Sequence, residues 1–112
     1  MAAKANIIID QGADFSTTIT VTDSSGAVVD LTGYTGRGQI RKHYTSSTAT
    51  DFTITFGTPR STGLVTLDLS NAVTSNMEAG RYVYDAEIIT SANVVSRLVE
   101  GIATVTPEVT RS

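Results

Sequence analysis

Asp14-Phe15-Ser16-Thr17-Thr18-Ile19-Thr20-Val21-Thr22 decides how this chain is read. Phe15, Thr17, Ile19 and Val21 alternate with Ser16, Thr18, Thr20 and Thr22, so an extended backbone carries one apolar face and one hydroxyl face. Threonine, isoleucine and valine are stiff at χ1 and suit a half-buried pleated surface. Gln11-Gly12-Ala13 turns the chain into this strand, and Asp23-Ser24-Ser25-Gly26 turns it out again.

The same period of two recurs in both directions from that stretch, and helical periodicity is nearly absent. Upstream lies a short strand over Asn6–Asp10. Downstream, after the bridge Val28-Val29-Asp30-Leu31-Thr32-Gly33, a strand over Tyr34–Tyr44 sets Tyr34, Gly36, Gly38 and Ile40 on one face. Arg37, Gln39 and Arg41 take the other. Two glycines on a core face weaken a strand by roughly 0.5–1 kcal/mol each relative to alanine, so large rings from neighbouring strands are expected in the space they leave. Thr45–Thr50 reads as a polar loop, and Phe52, Ile54 and Phe56 then alternate with Thr53 and Thr55.

Val65, Leu67 and Leu69 mark the next strand. Ser70–Ala79 is the one stretch with a helical suggestion, in which Ser70 caps a turn containing Val73 and Met77. Arg81–Ile89 turns Tyr82, Tyr84, Ala86 and Ile88 inward and Arg81, Val83, Asp85 and Glu87 outward. Ser91-Ala92-Asn93 closes a hairpin onto Val94–Thr106, which Pro107 ends. About seven strands separated by turn signals spell an all-β sandwich, with residues 1–112 forming one domain. The expected core is Phe15, Ile19, Val21, Ile40, Phe52, Ile54, Phe56, Val65, Leu67, Leu69, Tyr84, Ile88 and Val105.

A chain of 112 residues has room for one adequate core, since a domain of that size buries roughly two-thirds of the surface its unfolded chain exposes. The net charge of −3, from 8 basic and 11 acidic residues, disfavours a nucleic-acid-binding domain, which needs clustered cations in excess. With no cysteine, disulfides, thiolate zinc sites and thiol catalysis are all excluded. Three consecutive isoleucines near the start are far too few for a signal-peptide core or a membrane span. A soluble, non-secreted product with no membrane partner is the expectation.

Catalytic chemistry is poorly supplied. His43 is the single histidine and sits in Arg41-Lys42-His43-Tyr44 at a strand end, where a plain surface residue is expected. No Gly-x-Ser-x-Gly elbow is present, and Gly36-Arg37-Gly38 lacks the third glycine and the following helix of a dinucleotide loop. Asp85 and Glu87 lie two apart on one strand face, close enough to share a substrate or a cation. With a three-residue hairpin loop, however, Glu87 faces Arg97, and a cross-strand ion pair accounts for it. Asp10, Asp14 and Asp23 stand at turns without the spacing of a calcium loop. No enzyme, cofactor or metal is therefore expected.

Two other features stand out, one a candidate for docking and one structural. Arg37, Arg41 and Lys42 form the only basic concentration, with Gln39 between the arginines on the same face, and together they are a candidate docking patch because the planar fork of arginine suits carboxylates. Glu78-Ala79-Gly80-Arg81-Tyr82-Val83-Tyr84 has the shape of a tyrosine corner, in which Tyr82 hydrogen-bonds back to an upstream backbone group, and Tyr84 stands where an antibody domain has a disulfide cysteine. These signals make the expected sandwich immunoglobulin-like and antiparallel.

Asp10-Gln11-Gly12, Asp23-Ser24-Ser25-Gly26 through Asp30-Leu31-Thr32-Gly33-Tyr34, and Ala79-Gly80-Arg81-Tyr82-Val83-Tyr84-Asp85 occur in an order that resembles the immunoglobulin-like N-terminal domain of phage baseplate upper proteins. Arg41-Lys42 and Gly101-Ile102-Ala103-Thr104-Val105 fit the same order, so the resemblance covers nearly the whole chain. It also extends to small stand-alone structural proteins of tailed marine and cyanobacterial phages. The resemblance implies a virion structural subunit assembled in the host cytoplasm, on the tail or baseplate or as a capsid decoration. Its partners would be other virion proteins, and it would be present in several copies. A carbohydrate- or receptor-binding module is the alternative, although Tyr44 is the one ring that alternation leaves exposed.

Overall fold

The computed structural model describes residues 3–43, 46–47 and 49–109. Two sheets pack face to face. The larger is built from β1 (Ala3–Lys4), β2 (Ile7–Asp10), β4 (Thr35–Arg41), β5 (Thr50–Asp51), β8 (Gly80–Ile89) and β9 (Val95–Thr106), and the smaller from β3 (Phe15–Thr20), β6 (Thr53–Phe56) and β7 (Leu64–Leu69). Strand order is β1-β9-β8-β4-β5 in the first, with β2 also on β9, and β3-β7-β6 in the second. This is an immunoglobulin-like β-sandwich.

Each of the seven expected strands is present, and the two-residue strands β1 and β5 are additions. The Thr45–Thr50 segment, expected as loop, ends in β5, whose Thr50 and Asp51 pair with Ile40 and Gln39. The strand expected over Tyr34–Tyr44 is shorter, with β4 ending at Arg41; Tyr44 lies outside the described residues.

β1 and β2 share one register on β9. Ala3 opposes Val99 and Ile7 opposes Ala103, both in parallel. They are one strand interrupted at Ala5-Asn6. There the Asn6 side-chain oxygen accepts from Ile102 N at 3.1 Å, and the Tyr84 hydroxyl donates to the Ala5 carbonyl. A Cβ on Gly101 would stand 2.1 Å from that same carbonyl oxygen, so only glycine lets the N-terminal strand pass so close.

The core is Ile9, Val21, Leu31, Ile40, Phe52, Val65, Leu67, Leu69, Met77, Tyr84, Ala86, Ile88, Val99, Ala103 and Val105. Phe15, Ile19, Ile54 and Phe56, expected in it, are only partly buried because they lie on edge strands and pack against the cluster from one side. The room left by glycine on β4 is filled as expected. A Cβ on Gly38 would lie 3.1 Å from the Phe52 ring, and one on Gly36 would meet Ile54 at 2.7 Å and the Phe56 ring at 3.4 Å. Phe52 sits edge-on to Tyr84 with centroids 6.0 Å apart, a geometry aromatic quadrupoles favour.

The helical turn is α1 (Asn71–Thr74), and its cap differs from expectation. Ser70 occupies the N-cap position but its side chain makes no capping bond. The Asp14 carboxylate supplies the acceptor instead, taking Asn71 N at 2.7 Å, so a distant strand end does the work of the local serine.

Candidate protein-docking face

The outward residues of β4, β8 and β9 form charged rows across the larger sheet. Arg37, Glu87 and Arg97 are opposed in one row; Gln39, Asp85 and Glu100 make the next; Arg41, Val83 and Ile102 follow. Alternation along each strand puts these side chains on one face. A register shift between Ala86 and Glu87 brings Arg97 opposite Glu87, and an extra residue of this kind re-aims the side chains beside it. All of the residues in these rows except Ile102 line a shallow depression of about 290 Å³, which Gly38 and Tyr84 line as well.

Charges here are mostly satisfied within the sheet. Arg37 Nε lies 2.7 Å from Glu87 Oε1. Arg97 reaches Glu100 at 3.1 Å and Asp85 at 3.5 Å. The expected partner of Arg97 was Glu87. Although the two are opposed in register, Glu87 pairs across its other side with Arg37, and the bulge hands Arg97 to Asp85 and Glu100. Gln39 donates to Asp51 at 2.9 Å. Arg41 donates to Gln39 Oε1 at 2.9 Å and to the Ser46 carbonyl. Within the chain Arg37 already holds a carboxylate, and Arg41 holds a side-chain and a backbone oxygen.

Lys42 stands apart from that network, its ammonium 4.7 Å from the centre of the Tyr82 ring, within cation–π range. The Tyr82 hydroxyl donates to the Glu78 carbonyl four residues upstream, at 2.7 Å and near the surface. His43 is exposed, and its backbone N–H donates to Ser46 Oγ at 2.9 Å.

Asp85 lines the depression, between Gln39 and Glu100 in register. Burial raises its pKa above the usual carboxylate value; Arg97 and Arg41 pull it down, while Glu87 and Glu100 push it further up. Burial likewise raises Tyr84. For Tyr82, burial and then the Glu78 charge raise it.

Sequence reading found Arg37, Gln39, Arg41, Asp85 and Glu87 on this face but missed Glu100 and Asp51. Glu100 follows the bulge, where strict alternation fails. Asp51 belongs to a two-residue strand with no sequence period of its own. Arg60 was missed as well: it donates to the Tyr34 carbonyl at 2.6 Å and lies 4.4 Å from the Phe56 ring centre, pinning the connection between the sheets.

No protein-family model matches the chain, and no curated protein matches it. Among solved structures it is similar to the internalin-like protein lmo2027 of Listeria monocytogenes, with 20% identity, a TM-score of 0.50 and coverage of 94% of this chain but 28% of that one. A second likeness, to the Lin-41 filamin domain, has 13% identity and a TM-score of 0.41 over 81% of each chain. The chain thus spans little more than a quarter of the internalin-like protein, and at 20% identity the likeness is one of fold. What stands is an immunoglobulin-like sandwich with an ordered, charge-balanced outer face on its larger sheet.

Proposed function

We propose that this chain is a non-enzymatic structural subunit of a bacteriophage virion, a small tail- or baseplate-associated or capsid-surface protein that docks other virion proteins through the outer face of its larger sheet. The carrying observation is the network of three arginines and three carboxylates, Arg37, Arg41, Arg97, Asp85, Glu87 and Glu100, around one shallow depression. Each side chain is pre-positioned by a neighbour, so little side-chain entropy is lost on contact. Alternating signs at fixed spacing serve orientation and partner choice more than affinity. The virion assignment is supported by the order of turn and strand signals in the sequence.

Asp85 and Glu87, the carboxylates best placed for acid–base work, both face arginines, which favours the docking reading over catalysis. A carbohydrate platform has less support, because Phe15, Tyr34, Phe52, Phe56, Tyr82 and Tyr84 are all buried or packed against the core, and Tyr44 is outside the described residues.

The test is incorporation. A tagged copy expressed during infection should co-purify with density-gradient particles at a fixed copy number; its absence from particles overturns the virion assignment. Arg37→Ala combined with Arg97→Ala should reduce loading while the isolated domain keeps its melting temperature. A double variant that folds and loads normally removes the face from docking.

A further inference from the structure

β3 is the end strand of the smaller sheet, and its only strand partner among the described residues is β7. Its other edge offers an unfilled row of backbone donors and acceptors. Free edges are normally blunted by lysine, proline, a bulge or brevity. β3 has six residues, no register shift, and no charge or proline from Phe15 to Thr22. The carboxylates flanking it are turned away, Asp14 onto Asn71 and Asp23 onto Ser25 and Ala27. Other edges are guarded: β1 and β2 carry Lys4 and Asp10, β5 is two residues long with Asp51, and the four-residue β6 has Arg60 over its Phe56.

The inward side chains of β3 show the same opening. Phe15, Thr17 and Ile19 are half-buried, whereas Leu69, Leu67 and Val65, directly opposite them on β7, are buried. At the Ile19 end a cleft of about 330 Å³ opens beside the strand, lined by Ile19, Val21, Tyr34, Ile88 and Leu98 together with Thr90 and Arg97.

We propose that β3 pairs antiparallel with β3 of a second copy across a two-fold axis through Thr18. An uncharged edge of this length selects a strand equally free of charge, with apolar and hydroxyl residues in the same phase, and the chain supplies one in itself. Keeping inward residues inward allows only registers in which opposed residue numbers sum to an even value. The register centred on Thr18 sets Phe15 opposite Val21, Ser16 opposite Thr20, and Thr17 opposite Ile19. No like charges then meet, because Asp14 falls opposite Thr22. Phe15 of the second copy arrives at the mouth of the cleft, and the two small sheets become one, with the self-complementary contact a two-fold requires. This edge belongs to the smaller sheet and meets the charged face of the larger one only where Arg97 lines both depressions, so the self-pairing stands or falls without that face.

The chain has no cysteine, so Thr18→Cys introduces a single thiol. On the axis of an antiparallel pair it faces its own copy at about 4.5–5.5 Å between Cα atoms, within disulfide span. Mild oxidation should convert the variant to a covalent dimer, while Thr55→Cys, in the same cross-strand row two strands away, stays monomeric. Sedimentation of the unmodified protein should show a concentration-dependent dimer, and Thr18→Lys, with like charges on the axis, should abolish it while far-UV circular dichroism is unchanged. Equal cross-linking of the two cysteine variants, or a monomer at every concentration, overturns the proposal. So does a Thr18→Cys thiol that cross-links to a different virion protein, which would assign the edge to a foreign strand.

Discussion

β7 and β3 are neighbours paired residue for residue, yet they live in different environments. Val65, Leu67 and Leu69 are 1%, 1% and 3% exposed, while their partners Ile19, Thr17 and Phe15 are half-buried. Both strands alternate perfectly. What separates them is position in the sheet: β7 has a strand on each side, β3 on one. Alternation therefore reports which face points to the core, and neighbour count decides how much of that face is covered.

Truncation should expose this contrast most strongly. Leu67→Ala is expected to cost about 2–5 kcal/mol, the range for buried leucines, against about 1–2 kcal/mol for Ile19→Ala, where roughly half the transfer free energy is at stake. Urea titrations giving equal costs would show β3 to be covered in solution, as self-pairing requires at high concentration, so both should be measured dilute.

The same logic separates two tyrosines on β8. Tyr84→Phe removes the bond from a buried hydroxyl to the Ala5 carbonyl on the N-terminal edge strand and should cost about 1–3 kcal/mol. Tyr82→Phe loses a surface bond to Glu78 and should cost about 0.5–1.5 kcal/mol. If Tyr82→Phe proves the more damaging, the corner outweighs the clasp on the N-terminal strand. Burial raises both tyrosines above the ordinary value of 10.0. The unfolded chain therefore ionises first, and the stability they contribute is complete below that value and lost as pH rises through the folded one. Tyr84→Phe should flatten the alkaline limb of a stability–pH profile.

The smallest effect belongs to the outer face. Arg37→Ala breaks an exposed pair with Glu87 and should shift stability by about 0–1 kcal/mol. A larger loss would mean that the charged rows hold the sheet together as well as presenting it.

How much of this was legible depended on locality. The seven longer strands, the inward glycines of β4 and the rings above them follow from alternation within single segments. Ile9, Leu31, Met77, Val99 and Ala103 escaped the expected core because their burial depends on segments distant in sequence: β2 and β9 lie side by side, the Arg60 turn bonds Leu31, and Gln11 bonds the Met77 carbonyl. Asp14 capping α1 joins residues 57 apart in sequence. On the charged face, the residues of β4 and β8 were readable, but their pairing was not, since a bulge in the β8–β9 ladder decides whether Arg97 serves Glu87 or Asp85.

The parallel seating of β1 and β2 on β9 also has a mechanical meaning. Both strands run the same way, from Ala3 beside Val99 to Asp10 beside Thr106. A tension applied at Ala3 and at Thr106 pulls the two strands lengthwise past each other, so the ladder is loaded in shear and its bonds share the load rather than opening one after another like a zipper. The clasp at Ala5, where Tyr84 reaches across and Gly101 gives way, lies midway along that ladder. A domain strung between two attachment points in this direction resists stretching at its strongest seam.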